Sequence, residues 1–145
     1  MKPDALIDAL AQTAFATMAV LNKVGAENDL SLTQLRVLAI LRDRRLRMTA
    51  LADYLGLEKS TLSGLVDRAE QRGLLARAPN AEDGRVVDVF LTRKGIKLAS
   101  LGAAHIRRSL SPRTDALTPA EQRWLQVLLE KMLAGTKTGA PAPTL

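Results

Sequence analysis

The sequence predicts a mainly α-helical protein with one small β-hairpin, and three features of the apolar pattern lead to this prediction. Over most of the 145 residues, apolar side chains recur every three or four positions, which is the periodicity of helices that bury one face. After Gly73 the pattern changes to short alternating segments separated by a cluster of turn-forming residues. Helical spacing resumes after Thr92 and continues into a last helix.

The first part of the chain contains two predicted helices. One covers about residues 4–24 and has a broad apolar face formed by Leu6, Leu10, Ala14, Met18 and Leu21. The other extends from about Thr33 to Arg42, because Ser31-Leu32-Thr33-Gln34 has the pattern of a capping box at a helix start. A basic connector follows, with four arginines at Arg42, Arg44, Arg45 and Arg47.

Two short helices and a hairpin come next. The first helix is predicted at Thr49–Leu55, with Thr49 as its cap and Gly56 as its stop, and the second at Glu58–Gly73. Two strands at about 74–77 and 86–91 then flank a turn. Two helices joined by a tight turn and followed by a hairpin form a winged helix-turn-helix. The second helix of such a pair lies in the major groove of DNA.

The C-terminal part contains two predicted helices and a tail. Thr92 can cap a long helix of about residues 93–109, which Ser111-Pro112 is predicted to end. A last helix begins at Thr118-Pro119-Ala120-Glu121, which has a cap, a proline at the first position and a glutamate at the third. Residues 135–145 predict a disordered tail.

Positive charge is concentrated in the middle of the chain. The formal net charge is +6, and residues 36–108 alone hold 15 Lys/Arg against 8 Asp/Glu. The residues outside this window hold 6 Lys/Arg and 7 Asp/Glu. Two explanations are open: a solvated face that aids solubility, or a surface that binds a polyanion, most often nucleic acid.

The composition argues against several classes of function. There is no cysteine, which excludes disulfides, thiolate metal sites and thiol redox sensing. His105 is the single histidine and is expected on a helix surface or at an interface, so no metal and no cofactor is predicted. No nucleophile–base pair or phosphate-binding glycine loop indicates an enzyme. No run is predicted to span a bilayer and no signal peptide is recognised, so we expect a cytoplasmic protein without a membrane partner.

The candidate DNA contacts lie near the start of the Glu58–Gly73 helix. Its exposed positions are predicted to be Lys59, Ser60, Thr61, Ser63, Gly64, Asp67 and Arg68. Most of these residues are small hydroxyl residues or basic residues. Small side chains allow close approach to DNA, the helix N-terminus attracts phosphate, and Arg68 has the longest reach. Arg47 and Thr49 are further candidates for phosphate contacts. The alternative for these residues is an ordinary solvated helix start with capping hydroxyls.

Several segments resemble the MarR family of bacterial transcription regulators. They are Thr33-Gln34-Leu35-Arg36-Val37-Leu38, the run from Leu51 to Arg68, Gly73-Leu74-Leu75, Glu82-Asp83-Gly84-Arg85 and Leu91-Thr92-Arg93-Lys94-Gly95. These segments occur in the order and spacing of the family and cover about residues 30–96. The Asp-x-Arg turn followed by Leu-Thr-x-x-Gly makes the combination specific.

The resemblance implies roles for individual residues. The wing arginine of the family enters the minor groove, and here that residue is Arg85. The aspartate two positions earlier holds the wing in shape, and here it is Asp83. This sequence departs from the family at Gly64, where many members have a longer, often basic residue, and at Ala69, where leucine is common. Specificity is therefore expected to depend more on Arg68, the hydroxyl residues and the wing.

The apolar faces of the terminal helices are larger than one small domain needs, so the sequence, together with the resemblance, predicts a homodimer. The predicted parts are an N-terminal dimerisation helix (1–29), a winged helix-turn-helix DNA-binding domain (30–92), C-terminal dimerisation helices (93–134) and the tail (135–145). Paired chains place two recognition helices about 34 Å apart, which predicts a pseudo-palindromic operator on double-stranded DNA.

The resemblance further implies a ligand-responsive repressor. Members of the family often release DNA when a small, commonly phenolic or aromatic acid binds between the DNA-binding and dimerisation regions. The effector of this chain is not identified by the sequence. The alternatives are a winged-helix module that binds a protein partner and an architectural DNA binder with little specificity.

Overall fold

The computed structural model describes residues 4–136, so most of the predicted tail (135–145) lies outside the described residues. Within this range the chain forms six helices and three strands. They are α1 (Ala5–Glu27), α2 (Leu32–Leu41), β1 (Leu46–Arg47), α3 (Met48–Leu55), α4 (Lys59–Gln71), β2 (Leu75–Pro79), β3 (Val87–Leu91), α5 (Arg93–Thr114) and α6 (Pro119–Gly135). The prediction of a mainly α-helical protein with a small β wing is confirmed.

Two helix starts have the capping boxes that the sequence predicts. At α2 the Ser31 hydroxyl accepts from the Gln34 backbone N–H at 3.1 Å, and the Gln34 side chain accepts from the Ser31 N–H at 2.9 Å. At α6 Thr118 and Glu121 make the same reciprocal pair at 3.3 and 2.8 Å, with Pro119 in the first turn. Each pair satisfies backbone donors that the helix itself leaves without partners.

Two predicted helix boundaries were wrong. Helix α3 begins at Met48, and its N-cap is Arg47 without a side-chain capping bond, so Thr49 is not the cap. Helix α5 does not end before Pro112 but continues to Thr114. Proline lacks the N–H that would bind the Arg108 carbonyl in a helix, and the Ser111 hydroxyl donates to that carbonyl instead, at 3.3 Å.

The β-sheet has three strands where the sequence predicted two. Its order is β1-β3-β2, all antiparallel, and β1 lies in the basic connector that was expected to be irregular. Leu46 pairs with Val89, and Arg47 pairs with Asp88. A strand of two residues is too short to show any periodicity, which explains why the sequence pattern did not predict it.

The core lies between the end of α1, α2, α3, α4, the sheet and α5. Its most deeply buried side chains are Val24, Val37, Ile40, Leu41, Leu51, Leu62, Val66, Leu74 and Val89. Gly95 closes this core at the start of α5, because a Cβ at that position would lie 2.0 Å from the Leu74 carbonyl oxygen. That carbonyl accepts from the Thr92 N–H at 3.0 Å, so the Leu-Thr-x-x-Gly segment fastens α5 to the first residues of the wing.

Helices α1 and α6 expose large apolar side chains. No residue of α6 is buried within the described chain, and Trp124 is 65% exposed. On α1 the exposed residues include Leu6, Ile7, Leu10, Phe15 and Met18. Helix α1 is also long and apolar enough to cross a membrane by length and composition. The prediction that no segment meets this criterion was therefore wrong.

Candidate nucleic-acid interface

Helix α4 buries one face and exposes the other. Leu62, Leu65, Val66 and Ala69 fix its buried face in the core. The opposite face begins with Lys59, Ser60 and Thr61, all exposed. Gly56 ends α3 in the left-handed conformation (φ 66°) and makes the sharp turn into α4. The two short helices therefore have the helix-turn-helix arrangement that the sequence predicts.

The N-terminus of α4 has no side-chain cap. Glu58 is the N-cap residue, and its carboxylate accepts no capping hydrogen bond. There is no acidic residue in the first turn either. The first backbone N–H groups of α4 thus point outward beside exposed Lys59, Ser60 and Thr61, an arrangement that suits an anionic oxygen.

Arg68 lies over Gly64, one helical turn earlier on α4. A Cβ built on Gly64 would lie 3.5 Å from Nη1 of Arg68. The missing side chain of Gly64 therefore leaves room for the guanidinium of Arg68. This geometry supplies a basic group beside position 64, where many members of the resembled family carry a long residue of their own.

The wing tip has a compact arrangement of Asp83, Gly84 and Arg85. One Asp83 oxygen, Oδ1, accepts from the Arg85 backbone N–H and from its Nε, both at 3.1 Å, and Oδ2 accepts from Nη2 at 3.2 Å. The side-chain hydrogen bonds from Arg85, followed by its backbone N–H, hold the pKa of Asp83 below its ordinary value. The Arg85 side chain is 92% exposed, so it projects into solvent from a turn that Asp83 closes.

The base of the wing contains a network of Arg45, Asn80 and Asp88 that the sequence analysis missed. Asp88 is 5% exposed and accepts from Arg45 Nε at 2.9 Å and from Asn80 Nδ2 at 3.0 Å. The Asn80 bond, and then the Arg45 ion pair, hold the pKa of Asp88 below its ordinary value against the opposing effect of burial. Arg45 also lies 4.5 Å from the centre of the Phe90 ring.

Arg77 on β2 joins the sheet to α4. Its Nη2 lies 2.7 Å from Asp67 Oδ1 and donates to the Ser63 carbonyl at 3.2 Å, while Nη1 lies 3.4 Å from Glu70. Three acceptors on one face of α4 thus hold a single guanidinium that is 26% exposed. The sequence did not predict this contact, because Arg77 lies on a strand and its three partners on a helix, and no periodic pattern connects the two elements.

The predicted DNA contacts occupy different environments. Most are exposed: Arg47, Thr49, Lys59, Ser60, Thr61, Arg68 and Arg85. Ser63, Gly64 and Asp83 are partly buried.

His105 faces α1, with its Nε2 3.4 Å from a Glu27 oxygen, at a contact between two helices. Within residues 4–136, no three His, Asp or Glu side chains come close enough together to hold a metal ion.

These elements define the class of protein. A helix-turn-helix formed by α3 and α4, followed by a wing of β2 and β3 with β1 added to its edge, is a winged helix-turn-helix. The sequence model of the MarR family matches residues 28–86, the region from the α1–α2 turn to the wing.

Two relatives from Bacillus subtilis support this family match. The chain is 33% identical over 100 residues to the HTH-type transcriptional regulator YfiV, covering 66% of this chain and 60% of that protein. It is 38% identical over 63 residues to the HTH-type transcriptional repressor MdtR, covering 43% of this chain and 41% of that protein. The chain therefore spans less than two thirds of the length of each.

Solved structures share the fold at low sequence identity. NadR in complex with 4-hydroxyphenylacetate has a TM-score of 0.76 and 22% identity, covering 91% of this chain and 94% of that chain. CouR from Rhodococcus jostii bound to p-coumaroyl-CoA has a TM-score of 0.74 and 20% identity, covering 89% and 91%. The family match, the relatives and the shared fold make the chain similar to MarR-family transcriptional regulators, with the similarity centred on the winged helix-turn-helix. This family and these relatives are regulators and not enzymes, as the sequence predicts.

Proposed function

We propose that the chain is a dimeric repressor that binds a pseudo-palindromic operator in double-stranded DNA. The observation that carries this proposal is the contact of Arg77 with Asp67, Glu70 and the Ser63 carbonyl. Because it fastens α4 to β2, it fixes the position of the exposed start of α4 relative to the wing that carries Arg85. A surface with a helix and a projecting arginine suits a major groove and the minor groove beside it.

Each predicted contact has a role in this proposal. Helix α4 enters the major groove, where Arg68 reads a guanine edge or binds a phosphate, and the small residues allow the helix to approach closely. The remaining members of this helix surface are Lys59, Ser60, Thr61, Ser63 and Gly64. Arg85 enters the minor groove while Asp83 maintains the turn. Arg47 and Thr49, both exposed beside the start of α3, bind phosphates.

The dimer forms through α1, the end of α5, and α6. The support is the exposed apolar surface of α1 and α6, which includes Phe15 at 71% exposure and Trp124 at 65%. Burying such side chains stabilises an association by about 25 cal/mol for each Å² of apolar surface removed from water. Helix α1 is long and apolar enough to cross a membrane, and we assign its apolar surface to this interface instead. We therefore place the protein in the cytoplasm, together with the DNA that it binds.

A small molecule that releases the DNA is the remaining part of the proposal. NadR and CouR, which share the fold, bind 4-hydroxyphenylacetate and p-coumaroyl-CoA. In this chain the gap between α2 and α5 is lined by Leu35, Leu38, Ala39, Arg42, Ala99, Ala103 and Ile106 and holds about 10 Å³. An effector that binds there has to part α2 from α5, which connects its binding to the position of the winged domain.

The test measures binding to DNA from upstream of the gene by fluorescence anisotropy. We expect sequence-specific binding that weakens steeply with salt, and Arg85→Ala or Arg68→Ala should each reduce affinity by about 1–3 kcal/mol. Lys97→Ala is the matched control, since it removes one exposed positive charge near the start of α5, outside the proposed DNA contacts and the proposed dimer interface. Equal affinity for any duplex would instead identify an architectural binder, and no binding would identify a protein-interaction module.

A further inference from the structure

The direction of Arg85 depends on how the wing turn is attached to the sheet. Arg85 is almost fully exposed, and among the described residues its hydrogen bonds are all with Asp83, a residue of the same turn. A pair within one turn does not by itself set the direction of that turn. Something must therefore connect the turn to the core of the domain.

Asn80 makes this connection with both ends of its side chain. Its carbonyl oxygen Oδ1 accepts from the backbone N–H groups of Glu82 and Asp83, at 2.9 and 3.1 Å. Its amide nitrogen Nδ2 donates to both oxygens of Asp88, at 3.0 and 3.2 Å. One side of Asn80 thus holds the turn that presents Arg85, and the other side holds a carboxylate inside the sheet.

Asp88 is itself fixed from a third element. Arg45, which precedes β1, donates from Nε to Asp88 at 2.9 Å and from Nη2 to the Pro79 carbonyl at 3.4 Å. The ring of Phe90 packs against the same guanidinium at 4.5 Å. Asp88 is the one buried charged residue in the described range 4–136, and a buried carboxylate requires such partners.

We propose that Asn80, oriented by Asp88 and Arg45, is a positioning residue that aims Arg85 at the DNA. This inference rests on the proposed function. The path runs from Arg45 to Asp88, to Asn80, to the backbone of Asp83 and so to Arg85. A competing explanation is that Asn80 serves only the local turn through its Oδ1, as asparagine does in many turns.

The variant Asn80→Asp distinguishes the two explanations. This variant keeps the oxygen that accepts from Glu82 and Asp83 but replaces the donor with a second carboxylate facing Asp88. If the link to Asp88 positions Arg85, DNA affinity falls about as far as in Asn80→Ala. If the local turn suffices, Asn80→Asp binds as tightly as the parent chain, and the inference is overturned.

A reciprocal exchange provides the rescue. In the double variant Asn80→Asp/Asp88→Asn, the amide at position 88 can donate to the carboxylate at position 80, while its oxygen still accepts from Arg45 Nε. We expect this pair to recover most of the affinity lost in Asn80→Asp. Failure of the rescue in a variant with unchanged thermal unfolding would also overturn the inference, because unchanged unfolding shows that the sheet is intact.

The decisive measurement is a double-mutant cycle on a duplex that the full chain selects from a random-sequence pool. Asn80→Asp combined with Arg85→Ala should weaken binding no further than Arg85→Ala alone, since an absent arginine cannot be misdirected. When Asn80→Asp is combined with Arg68→Ala, the two losses of binding free energy should add. Additive effects with both arginines overturn the inference while leaving the proposed function in place. If neither arginine variant alters binding, the proposed function fails and the inference fails with it.

Discussion

Arg68 and Gly64 illustrate how two residues one turn apart share one task. In the sequence, Gly64 departs from the pattern of the resembled family, and specificity was therefore expected to depend more on Arg68. The structure brings the two together, because a Cβ on residue 64 would lie in ordinary van der Waals contact with the guanidinium of Arg68, 3.5 Å from Nη1. A glycine inside a helix costs roughly 1 kcal/mol relative to alanine, and the close approach to DNA that we propose for α4 would offset this cost.

Gly64→Ala is expected to stabilise the chain and weaken its DNA binding. The added Cβ lies 3.5 Å from Arg68 Nη1, an ordinary contact, so the free energy of unfolding should rise by roughly 1 kcal/mol. Affinity for the selected duplex should fall about fivefold, or ~1 kcal/mol, because the methyl group holds α4 away from the DNA. Thermal unfolding and anisotropy measure the two effects.

Gly95→Ala is the contrasting control for this prediction. There an added Cβ meets the Leu74 carbonyl oxygen at 2.0 Å, so the variant should unfold far more easily than the parent chain. A destabilised Gly64→Ala would contradict the interpretation that this glycine serves approach to DNA.

Local sequence patterns predict some of these residues and not others. The hydroxyl residues of α4 and the Asp83–Arg85 turn follow from helical spacing and turn chemistry, which act over a few positions. Asn80 was recognised only as a turn former, and Asp88 only as a polar residue in an alternating strand. The pairing of Asp88 with Arg45 spans 43 residues, and such long-range pairs leave no periodic signal in one sequence.

At the scale of elements, α4 and the wing share the hydrophobic core and are joined in addition by the side chain of Arg77. Arg77 holds Asp67 and Glu70 on α4, and both acidic groups lie on the helix that is proposed to face the phosphates of DNA. The guanidinium therefore has two effects: it fixes the helix against the sheet, and it neutralises negative charge near the binding surface. The helices themselves were well predicted, because their apolar spacing and caps are local patterns. The contact of Arg77 with α4 was not predicted.

Arg77→Met is expected to reduce DNA affinity about tenfold, or ~1.4 kcal/mol, because it leaves Asp67 and Glu70 uncompensated opposite the phosphates. The variant Arg77→Met/Asp67→Asn/Glu70→Gln removes the repulsion and should regain part of the affinity. Anisotropy at several salt concentrations distinguishes the two effects, since charge repulsion is screened by salt and a misplaced helix is not. A loss that neither the neutralising substitutions nor salt reduces would show that fixation alone matters.

At the scale of the whole molecule, the described chain leaves much of its apolar surface uncovered. Helix α6 buries none of its residues, and α1 buries only Val24 and Gly25 near its end. The sequence predicts this surplus from the apolar faces at both ends, since periodicity reports how much apolar surface exists. It cannot report which chain covers that surface, and the interface therefore remains a proposal.

Leu125→Glu/Leu129→Glu is expected to separate the proposed dimer. Both leucines lie exposed on α6, so the charges should not disturb the core of the single chain. Light scattering after size-exclusion chromatography should give the mass of one chain, 15.7 kDa. Operator binding should be lost together with the dimer. Lys131→Glu, at an exposed polar position of the same helix, is the control and should stay dimeric. An unchanged mass in the leucine variant would place the interface elsewhere.

The uninterrupted α5 has a mechanical consequence. It begins where Gly95 meets Leu74 at the base of the wing and continues through Pro112 to Thr114, beside the start of α6. A helix of 22 residues is about 33 Å long, so a tilt of about 5° at one end moves the other by about 3 Å. In the proposed dimer, α5 would act as a lever arm: a small rotation at its C-terminal end would change the spacing of the two α4 helices relative to the turns of a duplex.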